Sequence, residues 1–96
     1  MIKHIVFFKF RADASSADRT RAAETLRKLP TQIEFIRDFE VGEDVLHSPR
    51  SWDLALVATY DDLDSLKRYA EHPDHLPVID LMKSVCESIG SVDYVI

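Results

Sequence analysis

The stretch that decides the fold is Ile2–Phe10, which reads IKHIVFFKF. Its β-branched and aromatic side chains alternate with a period of two, and this predicts a β-strand. The even positions are His4, Val6, Phe8 and Phe10, and the odd positions are Lys3, Ile5, Phe7 and Lys9. Because both faces carry apolar residues, we expect both to be covered, which places the strand in the centre of a sheet.

The segment after this strand has the pattern of an amphipathic helix. Ser15 or Ser16 is its expected N-cap, alanine and leucine recur at helical spacing, and Pro30 is expected to end it. A second strand is predicted near residues 35–45. Gly42 interrupts its apolar positions, so we expect a bulge or a bend there.

A third strand is predicted over Trp52–Tyr60, with its even positions on one face. Asp61 or Asp62 then caps a short helix that Pro73 breaks, and a further helix follows. Gly90 is expected to release the chain into a last strand.

The predicted order, β-α-β-β-α-β, is that of a ferredoxin-like α+β fold with a four-stranded antiparallel sheet and helices on one face. The other face would expose Ile5, Phe7 and alternate residues of the neighbouring strands. A contiguous apolar surface of this kind marks an interface. We therefore expect a homodimer in which two sheets meet by that face.

Composition sets the class of protein. The chain has 96 residues, of which 46% are hydrophobic, and a net charge of −5 from 12 basic and 17 acidic residues. We expect one domain over residues 1–96. The acidic balance argues against nucleic-acid binding, and no apolar run reaches the length of a membrane span. The segment at Met1 lacks the features of a signal peptide, so a cytoplasmic location is expected.

Four histidines, His4, His47, His72 and His75, are the first candidates for acid–base chemistry. His72 and His75 stand in YAEHPDHLP, residues 69–77, where Pro73 forces an irregular junction between two helical pieces. Such a junction can direct two imidazoles and the Tyr69 phenol inward. The alternative is that these residues only shape a helix break.

Other chemistries have less support. A metal site with Asp53 or Asp74 is an alternative, but no recognised ligand spacing is present, so the prediction is no metal and no cofactor. The chain lacks a glycine-rich phosphate loop and a GxSxG motif. Cys86 lies on a predicted apolar helix stripe, where a buried space-filling role is expected.

Several segments together resemble the stress-responsive A/B barrel (Dabb) domain family over essentially the whole chain. They are MIKHIVFFKF at residues 1–10, FEVGEDV at 39–45, WDLALVATY at 52–60, YAEHPDHLPVI at 69–79 and the terminal VDYVI. The resemblance implies a ferredoxin-like protomer and a dimeric α+β barrel. The histidine of the first strand and the His-Pro-x-His segment are its most specific marks.

The family includes a plant polyketide cyclase that closes a ring by an aldol condensation without a cofactor. The resemblance implies a catalytic role for His75 and Tyr69, with His4 as a further polar contact and His72 as the first histidine of the shared segment. One departure is Leu54, which stands where that enzyme has a histidine. The resemblance also implies a cavity between sheet and helices lined by Val6, Phe8, Leu26, Leu54, Leu56 and Leu81.

Three functions follow as hypotheses. The first is binding of a small apolar or aromatic carbonyl compound in that cavity, by a protein without catalysis. The second is a cofactor-free, cyclase-like enzyme with His75 as general base and Tyr69 as hydrogen-bond partner. The third, a haem or quinone monooxygenase, rests on analogy of fold alone.

Overall fold

The strand at Ile2–Phe10, β1, lies in the centre of the sheet, as its two apolar faces predict. In the computed structural model, which describes residues 1–96, the sheet has four strands in the order β2-β3-β1-β4, and every neighbouring pair is antiparallel. The elements are β1 Ile2–Phe10, α1 Ser16–Arg27, α2 Leu29–Gln32, β2 Asp38–Glu43, β3 Leu54–Tyr60, α3 Leu63–Ala70, α4 Leu76–Val85 and β4 Cys86–Val95. The predicted ferredoxin-like fold class is confirmed.

Local polar contacts set the starts of the helices. The Ser15 hydroxyl accepts a hydrogen bond from the Asp18 backbone N–H at 3.0 Å, and the Asp18 carboxylate accepts one from the Ser15 N–H at 3.3 Å. This reciprocal capping box confirms Ser15 as the N-cap of α1. Pro30 does not simply end the helix. It lies in the first turn of the one-turn helix α2, where its missing N–H has no intrahelical partner to lose.

The core lies between the helices and the face of the sheet that carries the even positions of β1 and β3. The residues of this core that are almost fully buried include Ala22, Ala23, Leu26, Leu54, Leu56, Ala58, Tyr60 and Met82. Helical spacing predicts that Leu63, Leu66, Tyr69 and Ala70 lie on the inner side of α3. Tyr69 is buried and Leu66 half-buried, as predicted, but Leu63 and Ala70 are exposed. With only eight residues, α3 presents a narrow face to the core.

The opposite face of the sheet, which we call the outer face, carries Ile5, Phe7, Val57, Val92 and Tyr94 and has no helix over it. Register places Ile5 between Val57 and Val92. The sequence predicts Trp52 as the first residue of the third strand, on one face with the other even positions, but Trp52 precedes β3. Its ring lies against Phe7, with the ring centroids 5.9 Å apart. The outer face is therefore an apolar surface that the chain itself does not cover.

Two glycine expectations are wrong. The pairing of β2 with β3 runs without a register shift through Gly42, so no bulge forms there. The last strand starts at Cys86, not after Gly90, and its irregularity lies opposite Lys9 and Phe10. Pairing with the long central strand extends β4 over residues that have helical apolar spacing. No helix of the chain is long and apolar enough to cross a membrane.

Candidate functional site

A cavity of about 280 Å³ lies between the inner face of the sheet and the helices. Its lining is His4, Val6, Phe8, Leu26, Leu56, Tyr69, His75, Val78, Ile79, Met82, Lys83, Ile89 and Ser91. The exposed members of this set, Lys83, Ile89 and Ser91, lie on α4 and β4, so the cavity opens between those two elements. An apolar cavity with a few convergent polar groups is the usual form of a small-molecule site.

The irregular junction between α3 and α4 brings Tyr69 and His75 together. Helix α3 ends at Ala70, Pro73 prevents its continuation, and a turn leads into α4. The backbone N–H of His75 donates to the His72 carbonyl at 2.9 Å, which folds the chain back on itself. As a result, the imidazole of His75 lies against the Tyr69 ring, with centroids 4.1 Å apart.

The orientation of the His75 ring determines which of its two nitrogens carries the proton. Nδ1 lies 3.1 Å from the Ala70 carbonyl oxygen. A carbonyl only accepts, so Nδ1 carries the proton and donates, and Nε2 keeps a free lone pair. Burial lowers the pKa of His75 below its ordinary value, and the neighbouring His4 and His72 lower it further, against the opposing effect of the Ala70 hydrogen bond. The neutral imidazole therefore has an available basic nitrogen.

His4 reaches the same cavity from the sheet. Its strand neighbour across β1 and β4 is Asp93, and Nδ1 of His4 donates a hydrogen bond to the Asp93 carboxylate. The His4 ring meets the Tyr69 ring edge-on, with centroids 6.0 Å apart. Asp93 thus fixes the tautomer of His4 in the way that a carboxylate orients a catalytic imidazole.

Tyr69 lies between these two histidines in the contact network and is only 2% exposed. Burial raises its pKa to about 12, so the phenol stays protonated at neutral pH. A buried phenol next to a cavity is a hydrogen-bond donor for an oxygen of a bound molecule. The site therefore combines this phenol with two imidazoles in a mostly apolar lining, to which Lys83 and Ser91 add polar groups where the cavity opens.

The structure places most of the predicted site residues around this cavity. His4, Tyr69 and His75 line it, together with Val6, Phe8, Leu26 and Leu56. Two leucines expected in the lining are elsewhere: Leu54 is buried in the core at 2% exposure, and Leu81 packs against the core from α4. The helical turn at Leu81 presents Val78, Ile79 and Met82 to the cavity instead.

His72 does not line the cavity. Its Nδ1 accepts a hydrogen bond from the Asp74 backbone N–H at 3.1 Å, and its ring lies 6.1 Å from that of Phe35, centroid to centroid. It therefore shapes the turn after α3 and faces a separate open cleft that it shares with Phe35 and Arg68. The contacts of His72 therefore agree with the alternative expectation, in which the residue only shapes a helix break.

Asp93, Ile89 and Ser91 belong to the site but were not predicted. All three lie on β4 and share the inner face with His4 because of the pairing register. A signal was present: alternation of Val92 and Tyr94 on one face implies that Asp93 lies on the other. Its contact with His4 depends on a register between strands that are 89 positions apart in the chain.

No group of three or more His, Cys, Asp or Glu side chains is arranged to hold a metal ion. Cys86 is buried, and burial raises the pKa of its thiol to about 11. A protonated, buried thiol is a poor nucleophile. Cys86 is therefore not a candidate nucleophile.

The sequence matches the family described as the Stress responsive A/B Barrel Domain over residues 2–96. The chain belongs to this family. Within the stress-responsive A/B barrel family and its fold, three similar proteins are informative. SCO4036, an uncharacterized protein of Streptomyces coelicolor, is 40% identical over 78 residues, which are 78% of this chain and 79% of that protein.

Olivetolic acid cyclase of Cannabis sativa is 23% identical over 95 residues, 97% of this chain and 94% of the cyclase. A crystal structure from Bacteroides fragilis, described as a dimeric protein of unknown function with a ferredoxin-like fold, superposes with a TM-score of 0.84. It is 35% identical and aligns over 99% of this chain and 95% of that chain. The resemblance to the stress-responsive A/B barrel family is thus confirmed in sequence and in fold.

Proposed function

We propose that the cavity binds a small apolar or aromatic carbonyl compound and that His75 removes a proton from the carbon next to the carbonyl. The observation that carries this proposal is the convergence of Tyr69, His75 and His4 on one apolar cavity of about 280 Å³. The apolar lining favours a hydrophobic body for the ligand, and Tyr69 favours an oxygen acceptor on it.

The proposed step moves one proton. The C–H bond next to the carbonyl breaks, and the proton bonds to Nε2 of His75, which becomes an imidazolium. The electron pair of the C–H bond passes into the carbonyl group and forms an enolate. The O–H of Tyr69 donates a hydrogen bond to the enolate oxygen and stabilises the developing charge. The Ala70 carbonyl accepts from Nδ1–H throughout and stabilises the imidazolium.

The relative named olivetolic acid cyclase supports an enzymatic role for such a cavity. Leu54 stands where the plant cyclase has a histidine. Because Leu54 packs in the core and does not line the cavity, this difference takes no polar group away from the cavity lining. We propose proton removal next to a carbonyl as the reaction class, and the proposal does not extend to ring closure.

Hydrogen–deuterium exchange tests the proposal directly. In D₂O, removal and return of a proton replaces the methyl hydrogens next to a ketone by deuterium, and proton NMR follows the loss of signal. We expect the protein to accelerate this exchange for at least one of acetone, acetophenone and 4-phenylbutan-2-one. His75→Ala should lower the protein-catalysed rate by about 100-fold or more, the usual contribution of a general base.

His47→Ala is the matched control, because the His47 side chain is 76% exposed in a loop outside the cavity. It should leave the rate unchanged, and both variants should keep the circular dichroism of the folded protein. Exchange at the buffer rate with all three ketones, or an unchanged rate in His75→Ala, contradicts the proposed role. The junction residues would then have only a structural function.

We also propose that a second copy of the chain covers the outer face. The face is apolar, the chain has no element over it, and the Bacteroides fragilis relative is described as dimeric. Two such sheets packed face to face would form the α+β barrel expected from the sequence. Because the cavity lies on the inner face, the dimer contact and the ligand would use opposite sides of β1.

A further inference from the structure

Tyr60, the last residue of β3, carries a buried hydroxyl that the proposed step does not use. Its side chain is 0% exposed, and its hydroxyl oxygen has no hydrogen-bond partner. A buried hydroxyl without a partner destabilises the fold relative to a paired one. Phenylalanine would fill the same space without that cost, so the hydroxyl calls for a specific explanation.

The neighbours of Tyr60 are members of the site. The Tyr60 ring lies 5.1 Å from the Tyr69 ring and 6.1 Å from the His4 ring, centroid to centroid. Tyr60 itself does not line the cavity, whereas Tyr69 and His4 do. It therefore lies behind the site, where it can act only through another residue.

The acceptors near Tyr60 include the Asp93 carboxylate, whose negative charge raises the pKa of Tyr60, but this carboxylate already accepts a hydrogen bond from His4. Nδ1 of His4 is a donor to Asp93, and Nδ1 of His75 is a donor to Ala70. The Tyr69 oxygen has lone pairs and belongs to the nearest ring, whereas the remaining nitrogen of His4 belongs to a ring 1 Å farther away by centroid (6.1 against 5.1 Å).

We propose that the Tyr60 O–H donates a hydrogen bond to the phenolic oxygen of Tyr69 and so acts as a positioning residue. With one lone pair of Tyr69 occupied, the Tyr69 O–H is directed away from Tyr60 and into the cavity. Successive hydrogen bonds polarise each other, so Tyr69 also becomes a stronger donor. This role rests on the proposed function, in which Tyr69 donates to the ligand oxygen.

Burial raises the pKa of both phenols, and the contact between them adds to this rise at Tyr60 and opposes it at Tyr69. Both phenols therefore stay protonated at neutral pH, and the Tyr60 O–H is present to donate.

A ligand-free measurement tests the hydrogen bond alone. The protein is labelled with ¹³Cζ-tyrosine, which gives three signals, for Tyr60, Tyr69 and Tyr94. We expect Tyr60→Phe to move the Tyr69 signal, because the signal reports hydrogen bonding at the phenolic oxygen. Tyr94→Phe, on the outer face, is the matched control and should leave it in place. An unmoved Tyr69 signal in folded Tyr60→Phe overturns the inference.

A second measurement needs no variant. In the unsubstituted protein, we expect the Tyr60 hydroxyl proton to exchange slowly with water and to show a nuclear Overhauser contact to Tyr69. A Tyr60 hydroxyl proton in contact with His4 instead would overturn the inference. Neither measurement uses a ligand. Failure of the Tyr60–Tyr69 hydrogen bond can therefore be distinguished from failure of the proposed function.

The positioning role is tested with acetophenone exchange. Tyr60→Phe should lower the rate by about fivefold, the effect of one neutral hydrogen bond. In a Tyr69→Phe background, the same substitution should produce no further loss. A Tyr69 signal that moves in Tyr60→Phe with an unchanged exchange rate, or an equal loss in both backgrounds, overturns the positioning role.

Discussion

At the scale of the residue, burial decides what each polar group of the site can do. The same apolar surrounding lowers the pKa of the His75 imidazole and raises that of the Tyr69 phenol, because it disfavours the charged form of each. Both groups are therefore neutral at pH 7. One is then a base with a free lone pair and the other a donor, which is the pairing that proton removal beside a carbonyl requires.

This pairing predicts a pH profile for the exchange reaction. The rate should fall in acid only as His75 becomes protonated, with a midpoint below the ordinary histidine value of 6.5. No alkaline loss from Tyr69 is expected until pH approaches about 12. Proton NMR of the His75 Cε1–H signal gives the same midpoint independently. A midpoint for His75 above the ordinary value of 6.5 contradicts the prediction.

The same shift has a consequence for stability. A histidine whose folded pKa is depressed binds a proton more readily in the unfolded chain. Its neutral form therefore favours the folded state fully above about pH 6.5, and this contribution is lost as pH falls through the lower, folded value. The direction is destabilisation in acid.

At the scale of the element, short irregular connections position the site. The α3–α4 junction places His75 over Tyr69 through the Pro73 break and through two hydrogen bonds, from His75 Nδ1 to Ala70 and from the Asp74 N–H to His72. His72 and His75 thus have different contacts although they are only three positions apart. A regular helix would have placed them on one face.

The capping box of α1 gives a prediction at this scale. Ser15→Ala removes the acceptor for the Asp18 N–H, and we expect a loss of about 1 kcal/mol in the free energy of unfolding. Urea denaturation followed by circular dichroism measures it. Ser16→Ala is the matched control, since Ser16 is the first helical residue, its side chain is exposed and alanine favours helix there. Equal losses in the two variants would argue against Ser15 as the cap.

At the scale of the whole molecule, the two faces of the sheet differ in what lies over them. The inner face of β1 holds Val6 and Phe8 over the cavity, and its outer face holds Ile5 and Phe7 for the proposed partner copy. A thin protomer of 11.0 kDa can keep an open cavity on one side if the second side gains its burial from dimerisation.

The dimer is tested at Val92, which is 48% exposed on the outer face beside Ile5. We expect Val92→Lys to convert the protein from twice 11.0 kDa to 11.0 kDa in sedimentation equilibrium, because it places a charge in an apolar interface. Leu63→Lys is the control, since Leu63 is 56% exposed on the helix side. A monomeric unsubstituted protein at micromolar concentration would contradict the dimer.

How far the sequence predicts this molecule differs from element to element. The alternation in β1, the Ser15 cap and the Pro73 break are local signals, and each led to the correct element. Trp52 and Cys86 were misplaced because tertiary contacts override local pattern there. Trp52 leaves the strand to lie on Phe7, and pairing with β1 extends β4 back to Cys86. Apolar spacing alone cannot distinguish these outcomes.

The site shows the same division. His4, Tyr69 and His75 could be named from residue type, neighbouring sequence and family resemblance. The lining by Ile79 and Met82 in place of Leu81 depends on the rotation of α4 about its axis. The pairing of His4 with Asp93 depends on the register of two strands from opposite ends of the chain.

The sequence by itself determined the order of strands and helices, the apolar character of both faces of β1 and the identity of the polar groups available for chemistry. These properties follow from side-chain periodicity, proline geometry and caps, all of which act over a few neighbouring residues. Only the tertiary structure decided which polar groups share a cavity, which nitrogen of His75 is free and that the Tyr60 hydroxyl lies buried behind Tyr69. Those properties arise from packing and register between distant segments, where distances and burial are set jointly by the whole fold.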